Sequence, residues 1–296
     1  LLRREETLAD EIQYWTDRLF ADGYAIIPGA ADPALLRQLD RDFGPAWERT
    51  PFSRGNFFGT RTIRFARLLV RSQLMAHLVQ HELIQGIAER ALRPWCESIQ
   101  LNLTQAIAVH PGAPEQLPHR DQDMWDGPKG ELEYMVNVIW PLTPFTAENG
   151  ATVLWSGSNR REKDAYLANT EKVAAEMPVG SALLFLGSTL HAQGANVSSE
   201  VRKAAVVGYS LSWLKAYENQ ILAYPPHVAR KFNPELADLV GYRQIPPNLN
   251  NFEAQSPTIL LRDEVPEFPG AVDAFRPDQI EAIDYYLAHG RPRPVE

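Results

Sequence analysis

Three side chains in this 296-residue sequence have the types and spacing of a metal site: His119, Asp121 and His191. The first two lie in Gln116-Leu117-Pro118-His119-Arg120-Asp121, shortly after the turn residues His110-Pro111-Gly112. In extended backbone, residues i and i+2 point to the same face. The spacing therefore aims an imidazole and a carboxylate at one point. An H-x-D pair alone is a common chance match, so a third ligand is needed. His191 supplies it, after the apolar run Ala182-Leu183-Leu184-Phe185-Leu186 and the turn Gly187-Ser188. Two imidazoles and one carboxylate on one face of an octahedron leave three positions open. A non-haem iron(II) centre needs that arrangement to take a cosubstrate and oxygen.

Arg202 stands eleven residues beyond His191 and opens the next apolar stretch. A guanidinium near a metal clamps a carboxylate bidentately, which an ammonium does less well. A carboxylate-bearing cosubstrate is therefore expected as well as a metal; the competing reading places Arg202 at a solvated strand edge. The remaining histidines carry less. His77 and His81 are four apart on one helical face, which is ligand spacing. No third ligand accompanies them and the face is apolar, so packing is the expected role. His227 and His289 have no acidic neighbour at ligand spacing and read as surface residues, and His110 ends a strand, where a turn or hydrogen-bonding role is expected. Arg120 completes an H-R-D of kinase type, but no Gly-rich loop, lysine strand or DFG goes with it.

The bulk composition narrows the classes. The chain is 45% hydrophobic and 22% charged, with a formal net charge of -8. An acidic chain without a clustered basic face does not read as a nucleic-acid binder. One cysteine, Cys96, excludes an intramolecular disulfide and a cysteine-based zinc site. The charged opening segment LLRREETLADEIQYW has no apolar run suited to a signal peptide or membrane span, so a cytoplasmic location is expected. The sequence leaves room for a homo-oligomer.

The elements that must position these residues follow from periodicity. Helical spacing marks residues 5–22 and about 72–93, and Asp32-Pro33 marks the start of a helix running to Phe43. Residues 24–28 read as a short strand and 50–62 as a loop. From about 98 the period becomes two: residues 98–109 and 133–140 alternate, and 182–186 and 203–213 are apolar strands. Gly/Pro turns between them argue for a sandwich or jelly roll. The expected plan is a single domain over 1–296. It has a helical N-terminal layer (about 1–97), a β core (about 98–213) and a helical, proline-rich extension (214–296).

Taken together, H-x-D, a distal histidine and an arginine eleven positions on resemble the phytanoyl-CoA dioxygenase family of Fe(II)/2-oxoglutarate oxygenases. The likeness extends to Glu148-Asn149-Gly150-Ala151-Thr152 with Ser156-Gly157-Ser158-Asn159, and to Gly180-Ser181-Ala182 through His191-Ala192-Gln193-Gly194-Ala195-Asn196. It covers about residues 20–245. Two positions depart from the pattern: Trp155-Ser156 replaces a small aliphatic residue and proline, and Asn159 replaces a histidine.

The resemblance implies a mainly β fold with flanking helices around a double-stranded β-helix, the cupin-like jelly roll. It implies iron(II) held by His119, Asp121 and His191. It implies 2-oxoglutarate held at its distal carboxylate by Arg202 and Thr152 and met by Gln116 near its chelating end. With oxygen, the expected outcome is oxidation of a C–H bond, most simply hydroxylation, with release of succinate and carbon dioxide. The aromatic inventory points to a hydrophobic small-molecule substrate. Phe57 and Phe58, Trp125 and Trp213 are the candidate pocket aromatics, with Phe58 and Trp125 foremost because they fall in loops near the triad. The alternative is a cupin-like metal-dependent hydrolase, lyase or isomerase that does not use 2-oxoglutarate; Arg202 discriminates, since such an enzyme has no need of it.

Overall fold

Alternating and apolar segments of the sequence become the strands of two antiparallel sheets in the computed structural model, which describes residues 2–160 and 172–294. The strands are β1 (Tyr24–Ile27), β2 (Thr62–Ala66), β3 (Ile99–Val109), β4 (Met135–Pro141), β5 (Thr152–Trp155), β6 (Lys172–Ala174), β7 (Ala182–Leu186), β8 (His191–Gln193) and β9 (Arg202–Leu211). The large sheet has the order β1-β7-β4-β9-β3-β2 and the small one β6-β5-β8. The β3–β9 ladder runs from Ile99↔Leu211 to Val109↔Arg202, so it delivers Arg202 at a strand end. Ile139, Leu183, Phe185 and Val206 of the large sheet pack with Leu154 of the small sheet in one buried cluster. This is the sandwich core of a jelly roll, with burial alternating along β3 as the period of two requires.

Ahead of β3, helices interleave with β1 and β2: α1 (Leu2–Asp22), α2 (Pro33–Asp42), α3 (Gly44–Arg49), α4 (Leu68–Arg71), α5 (Met75–Val79) and α6 (Glu82–Leu92). Asp32 caps α2 by accepting from Ala34 N, and Pro33 occupies its first turn, as the sequence suggested. The single helix expected over 72–93 is instead two, α5 and α6, broken at His81. That residue is extended; its Nδ1 accepts from Ile84 N and its Nε2 donates to the Ala30 carbonyl at 2.8 Å. Both ring nitrogens are thereby engaged, which removes His81 from metal chemistry. Gly86 lets α1 approach α6 closely: a Cβ there would stand 2.5 Å from Ile12 Cδ1.

The chain divides into two compact units, residues 1–219 and 220–296. The second unit holds α7 (Gln220–Ala223), α8 (Pro226–Ala229), α9 (Pro234–Val240) and α10 (Pro277–His289). In it the buried Tyr242 hydroxyl donates to the Tyr224 carbonyl at 2.8 Å. Among the described residues, no helix is long and apolar enough to cross a membrane.

Candidate metal centre

Two short arms bring the three ligand candidates together. Segment 116–119 runs antiparallel to β8: Gln116 N donates to Gln193 O at 2.9 Å, and His119 and His191 exchange both backbone hydrogen bonds at 3.0 Å. Directly opposed residues in such a bridge send their side chains to the same face. The two imidazole centroids accordingly lie 4.4 Å apart. Arg120 is extended, so Asp121 returns to the His119 side before the chain enters a short 3-10 turn. His119 Nε2 stands 3.4 Å from Asp121 Oδ1, and His191 Nε2 stands 3.6 Å from Asp121 Oδ2. One candidate ligand atom from each residue lies within 4.8 Å of the others.

The tautomers follow from the backbone. His119 Nδ1 faces the Leu117 carbonyl at 2.9 Å, and His191 Nδ1 faces that of Thr189 at 3.1 Å. A carbonyl only accepts, so each Nδ1 carries the proton and each Nε2 presents its lone pair inward. Burial disfavours charge on His191 and pulls its pKa well below the ordinary value, against the pull of Asp121. Burial acts the same way on His119, but the hydrogen bond and charge of Asp121 outweigh it and its pKa rises. Burial would raise the Asp121 carboxyl; the two histidines and the Asn137 amide, donating to Oδ2 at 2.7 Å, instead hold it well below the carboxylate range. At neutral pH Asp121 is an anion beside a neutral His191. Two nitrogen donors and one carboxylate, each oriented by a second partner, fit a divalent first-row metal.

The triad opens onto a cavity of about 370 Å³ within the first unit. Gln116, Thr152 and Arg202 all line it. Arg202 is buried, and its Nε donates to the Gly150 carbonyl at 3.0 Å, joined there by Nη2. Gly150 has φ +86, and a Cβ on it would stand 2.8 Å from Gly194 O. Only glycine therefore presents this carbonyl to the guanidinium at this point. The Phe145 ring lies under Arg202, 4.4 Å from its Cζ. Arg64 on β2 lines the same cavity, which sequence reasoning missed because it assigned no element between the loop 50–62 and the helix expected from about 72. Among the described residues, its buried Nε has no hydrogen-bond partner. Burial, and the charge of Arg64, disfavour the Arg202 cation. The two guanidiniums share the cavity with the Asp121 carboxylate, whose charge favours the Arg64 cation.

Asn137 was also missed, although a lone amide inside the buried strand Met135–Pro141 is a legible signal. Of the aromatics, Phe57 and Phe58 line the cavity. Phe57 stands edge-on to His119 with centroids 4.8 Å apart, and Phe58 lies under Arg64 at 5.2 Å. The structure does not bring Trp125 or Trp213 to the cavity wall. The Trp125 indole stacks on Tyr134 and donates to Lys215 O at 3.0 Å. Trp213 donates to Trp95 O at 3.0 Å and is exposed. Each indole N–H found a backbone carbonyl elsewhere, and the ring followed it. Tyr217 and Met124 line the cavity in their stead.

Comparison with known proteins places this geometry in context. Residues 20–204 match the sequence family described as phytanoyl-CoA dioxygenase (PhyH). The chain is 30% identical over 241 residues to the multifunctional dioxygenase ausE of Aspergillus calidoustus, across 75% of this chain and 80% of that protein. It is 28% identical over 276 residues to dioxygenase FrzG of a Cladobotryum species, across 83% and 86%. Among solved structures it resembles the epimerase SnoN in complex with Fe3+, alpha ketoglutarate and nogalamycin RO, with a TM-score of 0.57 and 19% identity over 68% of this chain and 84% of that one. It also resembles HygX from Streptomyces hygroscopicus with nickel and 2-oxoglutarate bound, with a TM-score of 0.53 and 14% identity over 68% and 87%. At these identities the structural likeness bears on the fold.

Proposed function

This chain belongs to the phytanoyl-CoA dioxygenase (PhyH) family, and we propose that it oxidises a C–H bond of a hydrophobic small molecule, coupled to conversion of 2-oxoglutarate and oxygen to succinate and carbon dioxide. Hydroxylation is the first outcome to look for. The observation that carries the reading is one cavity holding His119, Asp121 and His191 together with the buried guanidinium of Arg202. Iron(II), when bound, supplies the activation of oxygen that no side chain can perform.

The side chains divide the remaining work. His119, Asp121 and His191 hold the metal from one side. Arg202 takes the distal carboxylate of the cosubstrate, with Thr152 beside it on β5. Gln116 faces the chelating end, where Arg64 adds a second positive charge. A dicarboxylate answers the Arg202 guanidinium with its distal carboxylate, a contact that a hydrolase, lyase or isomerase acting without 2-oxoglutarate does not need. Phe57, Phe58, Leu103, Ile107 and Met124 give the rest of the cavity an apolar wall suited to a hydrophobic substrate. The relatives named as dioxygenases support the reaction class, and solved structures of similar fold are titled as epimerase and carbocyclase, so the product type is tested separately.

Addition of iron(II) and then 2-oxoglutarate without oxygen tests this reading. A weak visible charge-transfer band is expected on addition of the cosubstrate. Metal-loaded protein that develops no such band would exclude 2-oxoglutarate as the cosubstrate.

A further inference from the structure

Arg120 occupies the one position between the two ligands of the H-x-D arm, and extended backbone sends its side chain away from His119 and Asp121. It reaches back across the arm to the turn that leads into His191. Its Nε donates to Ser188 O at 2.9 Å, and its Nη2 donates to Ser158 O at 3.2 Å. Ser158 in turn accepts from Leu190 N through Oγ at 2.9 Å. Ser188 is three residues and Leu190 one residue before His191. The guanidinium thus grips the second arm at two places, one directly and one through Ser158.

From His191 onward the second arm is tied by the 119–191 bridge, by Gln116 N donating to Gln193 O, and by the pairing of β8 with β5. Upstream, the turn 187–190 lies between β7 and β8, and how it is held sets the direction in which the His191 ring enters the site. Further contacts hold that turn. Gln122 N donates to Gly187 O at 3.0 Å, Thr189 Oγ1 donates to Gly23 O at 2.6 Å, and the Ser188 hydroxyl bonds Glu133. Of these partners only Arg120 lies between two ligands of the other arm. A planar fork with fixed donor directions transmits orientation, whereas a flexible ammonium transmits mainly charge.

We propose that Arg120 is the positioning residue of the metal centre: it sets the angle of the His191 arm against the His119–Asp121 arm, and so tunes metal affinity without touching the ion. The inference rests on the metal reading above, and the experiment separates the two. Binding of manganese(II) alone, without cosubstrate, is followed by electron paramagnetic resonance of the free ion, beside melting of the metal-free protein. The cobalt(II) absorption spectrum reports the ligand geometry.

Arg120→Met is expected to raise the manganese Kd by about 10–100-fold, the range of partners that orient metal ligands, and to alter the cobalt(II) spectrum. Arg120→Lys, which keeps the charge and one donor toward Ser188 O, is expected to fall between wild type and Arg120→Met. Arg120→Lys also serves if the methionine variant does not fold. Affinity within two-fold of wild type in Arg120→Met, or an unchanged cobalt spectrum with affinity falling only as melting falls, would overturn the positioning role. Failure of the wild-type protein to bind manganese, or full binding by Asp121→Ala, would instead overturn the metal reading itself.

Discussion

Asp121→Ala is expected to abolish oxygen-dependent formation of succinate and to lower metal affinity by well over two decades. Asp121 is the only anion of the ligand set, and its charge is what the two imidazole Nε2 atoms face at 3.4 and 3.6 Å. Even residues that merely orient a metal ligand are worth about one to two decades of affinity. Removing the ligand itself exceeds that. Asn137→Leu calibrates the scale: it deletes the amide that donates to Asp121 Oδ2 at 2.7 Å while keeping the β4 position filled. Its loss should lie within those one to two decades. Succinate release under oxygen, with and without added iron(II), measures both. Normal turnover by Asp121→Ala would remove Asp121 from the metal set.

Arg202→Ala should raise the concentration of 2-oxoglutarate needed for half-maximal turnover by about one to two decades, with iron binding spared. A charge-assisted bidentate contact contributes roughly 1.5–3 kcal/mol, and 1.4 kcal/mol corresponds to a factor of about ten. The same substitution strips the Gly150 carbonyl of its donors and leaves the Phe145 ring uncovered. Some loss of stability therefore accompanies it. Arg202→Lys separates the effects, because it keeps a charge but not the fork. An intermediate 2-oxoglutarate requirement is expected for it. A titration of the charge-transfer band with 2-oxoglutarate reads the affinity directly. An unchanged midpoint in Arg202→Ala would show that the distal carboxylate lies elsewhere.

The parts of this molecule that were legible in sequence are those where one local rule acts alone. β3 alternates over eleven residues, and β7 is a pure apolar run. Both announce themselves. β5, β6 and β8 have only three or four residues each, too few for a period to show. The break at His81 was hidden because histidine is not among the usual helix caps. At the site, the triad and Arg202 could be found because metal chemistry demands particular residue types at particular spacings. Arg64 and Asn137 obey no such spacing; they reach the cavity only because β2 pairs with β3 and β4 lies beside β9. Trp125 and Trp213 were placed by proximity in sequence, whereas their N–H groups chose distant carbonyls.

His191 belongs to the small sheet, Asp121 lies on the arm beside it, and the amide bonded to Asp121 comes from the centre of the large sheet. An ion held by this set is a staple across the sandwich as well as a reagent. Its binding energy is then also folding energy, since the unfolded chain offers no such cluster. At an ion concentration of ~100 times Kd the gain is about 2.7 kcal/mol. For a unit of this size that corresponds to roughly 5–10 °C in melting temperature, readable by comparing melting curves with and without manganese(II). Identical curves would mean that the two sheets hold together without help from the site. A chain starved of metal would then lose activity and durability together, and cellular metal supply would set how much of the protein persists as well as how fast it works.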